Sequence, residues 1–249
     1  MAKDREVCDR FRKKISNDLR RFQTALINGA SDVCRNAWVL NEAAAKCIGS
    51  KPYGDGSWGY EVSDLQFRVR LPQKVYPLPA EKYLDIHVDF KIEGGCSEEF
   101  SELITHLELN IVICTPKRTH ISSWHFDRHI EPAGLEGNEA EDAHPLYHFQ
   151  YGGRRLDELG KDHGRILMLP APRIGHPPMD VILAVDFVLS NFAGDLWRAL
   201  KSEPDYISMV SQSQRTFWRP YLEHVFSWWQ TGPRPNEKFS KSLWPHLVS

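Results

Sequence analysis

The 249-residue chain has five cysteines (Cys8, Cys34, Cys47, Cys96 and Cys114) but no C-x-x-C pair. That spacing excludes a zinc knuckle and shows no disulfide framework, so free thiols in a reducing cytosol are expected. No apolar run approaches the ~20 residues needed to span a bilayer. The opening MAKDREVCDRFRKK has no apolar stretch behind it, so no secretory leader is expected and the chain reads as cytoplasmic, without membrane contact. A formal net charge of −2 excludes a globally basic protein that coats nucleic acid. The loop GDGSWG at 54–59 lacks the Lys-Ser/Thr ending of a phosphate-binding loop, and neither G-x-S-x-G nor H-E-x-x-H occurs.

What is present is a clear succession of periodicities. Residues 4–28 carry Val7, Phe11, Ile15, Leu19, Phe22 and Leu26 at three- and four-residue steps, which predicts an amphipathic helix. Its other face mixes basic residues (Arg10, Arg12, Lys13, Lys14, Arg20, Arg21) with Asp4, Glu6, Asp9 and Asp18, as a solvated, salt-bridged face does. A second helix is predicted over 31–48. The pattern then changes to alternation. Leu65, Phe67, Val69 and Leu71 alternate with Gln66, Arg68 and Arg70. Leu84, Ile86, Val88, Phe90 and Ile92 alternate with Asp85, His87, Asp89 and Lys91, and Leu107, Leu109, Ile111 and Ile113 with His106, Glu108 and Asn110. Two further strands are predicted. One sets Trp124 and Phe126 opposite Ser123, His125, Asp127 and His129. The other sets Tyr147, Phe149 and Tyr151 opposite Leu146, His148 and Gln150.

Period-two alternation with one apolar side predicts an antiparallel meander of about five strands over 60–151, buried on one face. The acidic connection EPAGLEGNEAEDA between the last two strands has the composition of a mobile loop. From 176 to 230 the chain turns helical. Asp180 is the expected N-cap of one helix, Pro204 opens another, and Pro220 is expected to kink it. The tail, 232–249, offers Phe239, Leu243 and Trp244 as docking points. The expected whole is one α+β domain: N-terminal helices (1–48), the sheet, and C-terminal helices packed on it. A hydrophobic content of 41% can supply its core.

The chemistry-bearing residues collect on the polar side of these strands. His125, Asp127 and His148, with His129, are the expected catalytic groups. Two histidines can act as general base and general acid because their pKa lies near neutrality. Alternatively, His125-x-Asp127-x-His129 sets three ligands on one side of one strand, with about 6.5 Å per two-residue step. With His144 they would hold a divalent metal that activates water. His87, His106, Glu108 and Gln150 extend the patch as expected substrate contacts. Gly152-Gly153 lets the backbone approach a ligand, and Arg154 and Arg155 would grip a phosphate. Arg173 and His176, just ahead of a helix, are expected to favour an anion.

These groups lead to the expectation of a phosphodiester hydrolase whose partner is RNA or another phosphate-bearing ligand. The segments His144-Pro145-Leu146-Tyr147-His148-Phe149 and Pro172-Arg173-Ile174-Gly175-His176-Pro177-Pro178-Met179-Asp180 resemble those of uncharacterised bacterial proteins of defence and toxin loci. The resemblance implies that setting. The competing expectation is a non-catalytic module that holds a protein partner through the aromatic C-terminal helices (Trp197, Trp218, Trp228, Trp229) or a ligand on the polar sheet face. The helix–meander–helix order also resembles ubiquitin-conjugating folds. Here, however, Leu146 rather than Asn follows His144-Pro145, and no cysteine follows Cys114. That departure argues against conjugating activity.

Overall fold

The computed structural model describes residues 2–48, 53, 56–72, 75, 78–96, 103–128, 144–152, 156, 174–230, 237–245 and 247. Helices α1 (Ala2–Ala30) and α2 (Val39–Ile48) lead into six strands: β1 (Ser57–Arg70), β2 (Tyr83–Gly95), β3 (His106–Cys114), β4 (Ile121–Arg128), β5 (Tyr147–Tyr151) and β6 (Ile174–Gly175). They form one antiparallel meander in the order β1-β2-β3-β4-β5-β6. Helices α3 (Val181–Phe192), α4 (Gly194–Leu200), α5 (Pro204–Ser213), α6 (Arg219–Phe226) and α7 (Glu237–Leu243) follow. The acidic connection 131–143 lies outside the described residues.

The alternation works as expected: Ile86, Val88, Phe90, Ile92, Leu107, Leu109, Ile111 and Phe126 are all buried in one hydrophobic cluster. That cluster also takes Leu19, Phe22 and Leu26 of α1, Val185 and Val188 of α3, and Leu243 of α7, so the helices cover the apolar face. Each fully buried side chain of this size contributes roughly 1.5–3 kcal/mol. Val7, at the start of the predicted α1 stripe, stays exposed.

Three differences from the expected fold have identifiable causes. Strand β1 begins at Ser57 rather than near Asp64, because a bulge between Val62 and Leu65 shifts the register by one residue. Trp58, Tyr60 and Val62 on one side of it and Leu65, Phe67 and Val69 on the other all reach the core, although their numbering parity changes. The bulge breaks the period-two signal that strand recognition relies on. Residues 33–35 are not helical: Cys34 bridges Phe67 antiparallel, and Val33 and Arg35 exchange backbone bonds with Arg68 and Gln66. The helix therefore starts only at Val39. Finally, the sixth strand is two residues long and lies inside what reads as a loop.

The helical region breaks where its chemistry demands. Ala193 caps α3 and opens α4. Pro220 lacks the N–H of a helical bond, and the turn before it, Gln214–Trp218, is a π-helical bulge. In the C-terminal segment Leu243 and Leu247 are buried and Trp244 is half-buried, as docking points should be.

The thiol expectation is corrected: Cys8 of α1 and Cys96, just after β2, form a disulfide, with Cα atoms 5.3 Å apart. Cys34, Cys47 and Cys114 are free and buried. Sequence spacing missed the pair because the two residues are brought together by α1 packing across the start of β1. No helix among the described residues is long and apolar enough to cross a membrane.

Asp180 is the N-cap of α3, accepting from Leu183 N at 2.9 Å, and its other oxygen accepts from Ser213 Oγ at 2.6 Å. Burial pushes this carboxyl up to about 6, against the pull of both hydrogen bonds. Its folded value therefore exceeds its ordinary value of 3.8. The contribution to stability is intact below the ordinary value and declines as pH rises through the folded value, leaving a cost of roughly 3 kcal/mol at neutrality. Asp180→Asn keeps a capping oxygen but cannot ionise. Unfolding free energies of the two proteins from urea titrations should diverge by that amount between about pH 4 and pH 7. A constant difference across the range would contradict the assignment.

Candidate metal centre

The polar face of the sheet is built from register. Glu108 pairs with Asp127, and Asn110 with His125, across β3 and β4. Asp127 pairs with His148, and His125 with Gln150, across β4 and β5. Directly opposed residues on one face of an antiparallel pair have Cβ atoms about 5 Å apart. His125 and Asp127 sit two residues apart on β4, and His148 faces Asp127 from the next strand. The ligating atoms of these three side chains lie within 4.8 Å of one another.

The hydrogen bonding of His148 determines what this group can do. Its side chain is buried, and Nδ1 lies 3.0 Å from the Pro145 carbonyl oxygen. A carbonyl only accepts, so Nδ1 carries the proton and donates. In a neutral ring Nε2 is then the acceptor nitrogen. Nε2 lies 3.2 Å from Asp127 Oδ1, a buried oxygen with no hydrogen bond. Two acceptors facing each other at that distance repel unless a proton or a cation lies between them. The same backbone bond that locks the tautomer aims Nε2 as a metal ligand should be aimed. Two imidazoles and a carboxylate form a donor set suited to zinc, manganese or ferrous iron. Bonds of about 2.0–2.2 Å need the donors to draw in by roughly 1 Å from their present spread, within reach of small side-chain rotations.

Gly175 of β6 pairs with His148. A Cβ on Gly175 would meet the Trp244 ring at 2.9 Å, so Trp244 stands on the same face where a β6 side chain would be. The chain after α7 thus shields the β6 side of His148. Leu146 N also bonds the Ser242 carbonyl at 2.7 Å, which anchors that segment beside β5.

The remaining expected residues are placed as follows. Gln150 faces His125, and Glu108 faces Asp127 while accepting from Asn110 Nδ2 at 2.9 Å. His144 packs edge-on against His148 with centroids 4.5 Å apart, outside the three-residue donor group. His106 is on the same face, one step beyond Glu108, with its Nε2 buried and without a hydrogen bond. His87 and Asp89 share the face but lie on β2, with β3 between them and His125. Two strand spacings are about 9.6 Å, too far to join the donor group. His87 is instead paired with Asp64, Nδ1 to Oδ1 at 2.6 Å.

His176 is the clear departure. It lies against the apolar face, with its ring 5.6 Å from Phe126, 5.3 Å from Phe149 and 5.9 Å from Trp218. Burial among these rings holds its pKa below the ordinary value. The sheet separates it from the polar face, so it serves packing rather than anion binding at the centre. His129, Arg154, Arg155 and Arg173 lie outside the described residues. Pro145 and Trp244 were not legible as site residues: one acts through a backbone carbonyl, and the other is brought in only by the C-terminal segment.

The chain was compared with family models, curated proteins and solved structures, and it matches none of them.

Proposed function

We propose that His125, Asp127 and His148 hold one divalent metal ion and that the protein hydrolyses phosphodiesters. The observation that carries this reading is the convergence of two imidazoles and a carboxylate, His125, Asp127 and His148, whose ligating atoms lie within 4.8 Å of one another. A divalent ion there supplies Lewis acidity toward a phosphoryl oxygen and lowers the pKa of the attacking water. His125 and His148 serve as neutral nitrogen donors and Asp127 as the anionic donor. Glu108, opposite Asp127, is placed to accept a proton from the nucleophile, and Gln150, beside His125, to donate to a phosphate oxygen. Arg154, Arg155 and Arg173 flank β5 and β6 in sequence, which favours an anionic substrate such as RNA. A bacterial defence or toxin role accords with such a substrate, while the Cys8–Cys96 disulfide fits an oxidising setting better than a reducing cytosol.

The experiment combines metal analysis with nuclease assays. The purified protein should bind one zinc or manganese ion per chain in a calorimetric titration. It should cleave labelled RNA or single-stranded DNA in a chelator-sensitive way. Absence of metal binding would end the reading. Metal binding without cleavage of either polymer would leave the centre and remove the substrate class.

A second reading, a protein-binding module, is favoured by one observation. Leu222, Phe226 and Trp229 are exposed at 38%, 61% and 65%, and their four- and three-residue spacing puts them on one side of α6 and the turn after it. Contiguous exposed apolar surface marks interaction sites. A protein that neither binds metal nor cuts nucleic acid, but loses a specific partner on Phe226→Ser/Trp229→Ser, would favour this reading.

A further inference from the structure

At the other end of the polar face a second group of side chains converges, distinct from the metal centre. Cys114 ends β3 and is paired with Asp85 of β2. Register sets it diagonally beside His87 on the same face, since His87 pairs with Val112 two residues before Cys114, and the thiol acts on the His87 ring. His87 Nδ1 is engaged by Asp64 Oδ1 at 2.6 Å, which leaves the other ring nitrogen to the sulfur. On another side, Arg118 Nη1 approaches Cys114 Sγ to 3.8 Å. This is a nucleophile, a base beside it and a carboxylate orienting the base, with a guanidinium facing the nucleophile.

The backbone is shaped around these contacts. Asp64 (φ 52°) and Arg118 (φ 53°) are the two non-glycine residues of positive φ among the described residues, and both point their side chains into this group. Such conformations persist where the surroundings enforce them, and they collect at functional sites. The bulge in β1 carries Asp64, whose N–H is held by Asp89 Oδ1 at 2.8 Å. The turn carrying Arg118 is held by Thr115 Oγ1, which accepts from Thr119 N at 3.0 Å and His120 N at 3.2 Å.

Access is limited. Cys114 is 2% exposed, which excludes a bulky substrate. A groove lined by Arg35, Gln66, Phe67, Arg68, Asp85 and His87 opens beside the imidazole. Within it, Arg68 and Asp85 neutralise each other in a paired contact, 2.6 and 2.8 Å.

We propose that Cys114 is a nucleophilic thiol for small peroxides, a modification site in which His87 takes the thiol proton, Asp64 holds the imidazolium and Arg118 faces the sulfur. With hydrogen peroxide the sulfur attacks one oxygen. The S–O bond forms as the O–O bond breaks, and the departing hydroxide takes the proton back from His87. The products are the Cys114 sulfenic acid and water; sulfur loses two electrons and the peroxide gains them. Contact with Cys114 and then Asp64 favours the protonated ring, raising His87 to about 9 against the opposing effect of burial, so the thiol proton, once taken, is held on the ring until the departing hydroxide claims it.

The test uses the full-length protein. It is treated with hydrogen peroxide, trapped with dimedone, digested and mapped by mass spectrometry over time. Cys114 should be modified at least about tenfold faster than Cys34 or Cys47, whose thiols burial pushes up, Cys47 to about 12. His87→Asn should slow Cys114 modification about 10²-fold. Asp64→Asn, which tolerates the left-handed backbone, should slow it about tenfold and keeps the claim testable if the first variant does not fold. Chelators should change nothing here, so failure of this site and failure of the metal centre are read separately. Modification of Cys114 no faster than of Cys34, or native rates in both folded variants, would overturn the proposal.

Discussion

His148→Ala should weaken metal binding at least about 10²-fold and reduce metal-dependent cleavage in parallel. If three donors share a binding free energy on the order of 10 kcal/mol, the loss of one removes roughly 3 kcal/mol, about two orders of magnitude in Kd. His125→Ala should behave alike. His144→Ala should not, because that ring packs on His148 without entering the donor group. Asp127→Asn makes a sharper prediction. The amide can donate to His148 Nε2, whose partner nitrogen is already committed to the Pro145 carbonyl. Metal affinity should therefore fall while the melting temperature of the metal-free protein rises. If the close contact were a simple imidazolium–carboxylate pair, the same substitution would lower the melting temperature. Calorimetric metal titration and thermal melts with chelator separate the two. Because neutral imidazoles are the ligands, protons compete with the metal and its affinity should also drop on acidification.

Cys8→Ser/Cys96→Ser should lower the melting temperature by roughly 9–18 °C. The bridge spans 88 residues. Closing a loop of that length limits the unfolded chain by about 4–5 kcal/mol, and for a chain of this size each kcal/mol moves the midpoint by roughly 2–4 °C. The fold should survive the loss, because α1 is also fastened at the same corner by side chains. The buried Arg12 donates from Nε to the Ser57 carbonyl at 2.9 Å, and Phe11 meets Trp58 edge-on at 5.1 Å between centroids. Scanning calorimetry with and without reductant checks this: reductant should lower the midpoint of the native protein and leave the double variant unmoved. A native midpoint indifferent to reductant would show that the bridge carries no stability.

What the sequence determined by itself is the set of elements and their faces. Alternation along β2, β3 and β4 follows from the period of two in a strand, so Ile86, Leu107 and Phe126 had to share one side and His87, Glu108, His125 and Asp127 the other. Asp180 as a helix cap was equally local, since the donor lies three residues on. The tertiary structure decided which polar groups meet. Register places His148 against Asp127, while β3 keeps His87 away. It also decided that His176 turns to the apolar face, that Cys8 reaches Cys96, and that a bulge delivers Asp64 to His87. Periodicity is written in neighbouring residues, each with its own preference for burial. Register and long-range pairing depend on the free energy of the whole sheet, where a one-residue slip reverses every side chain and no short segment carries the choice.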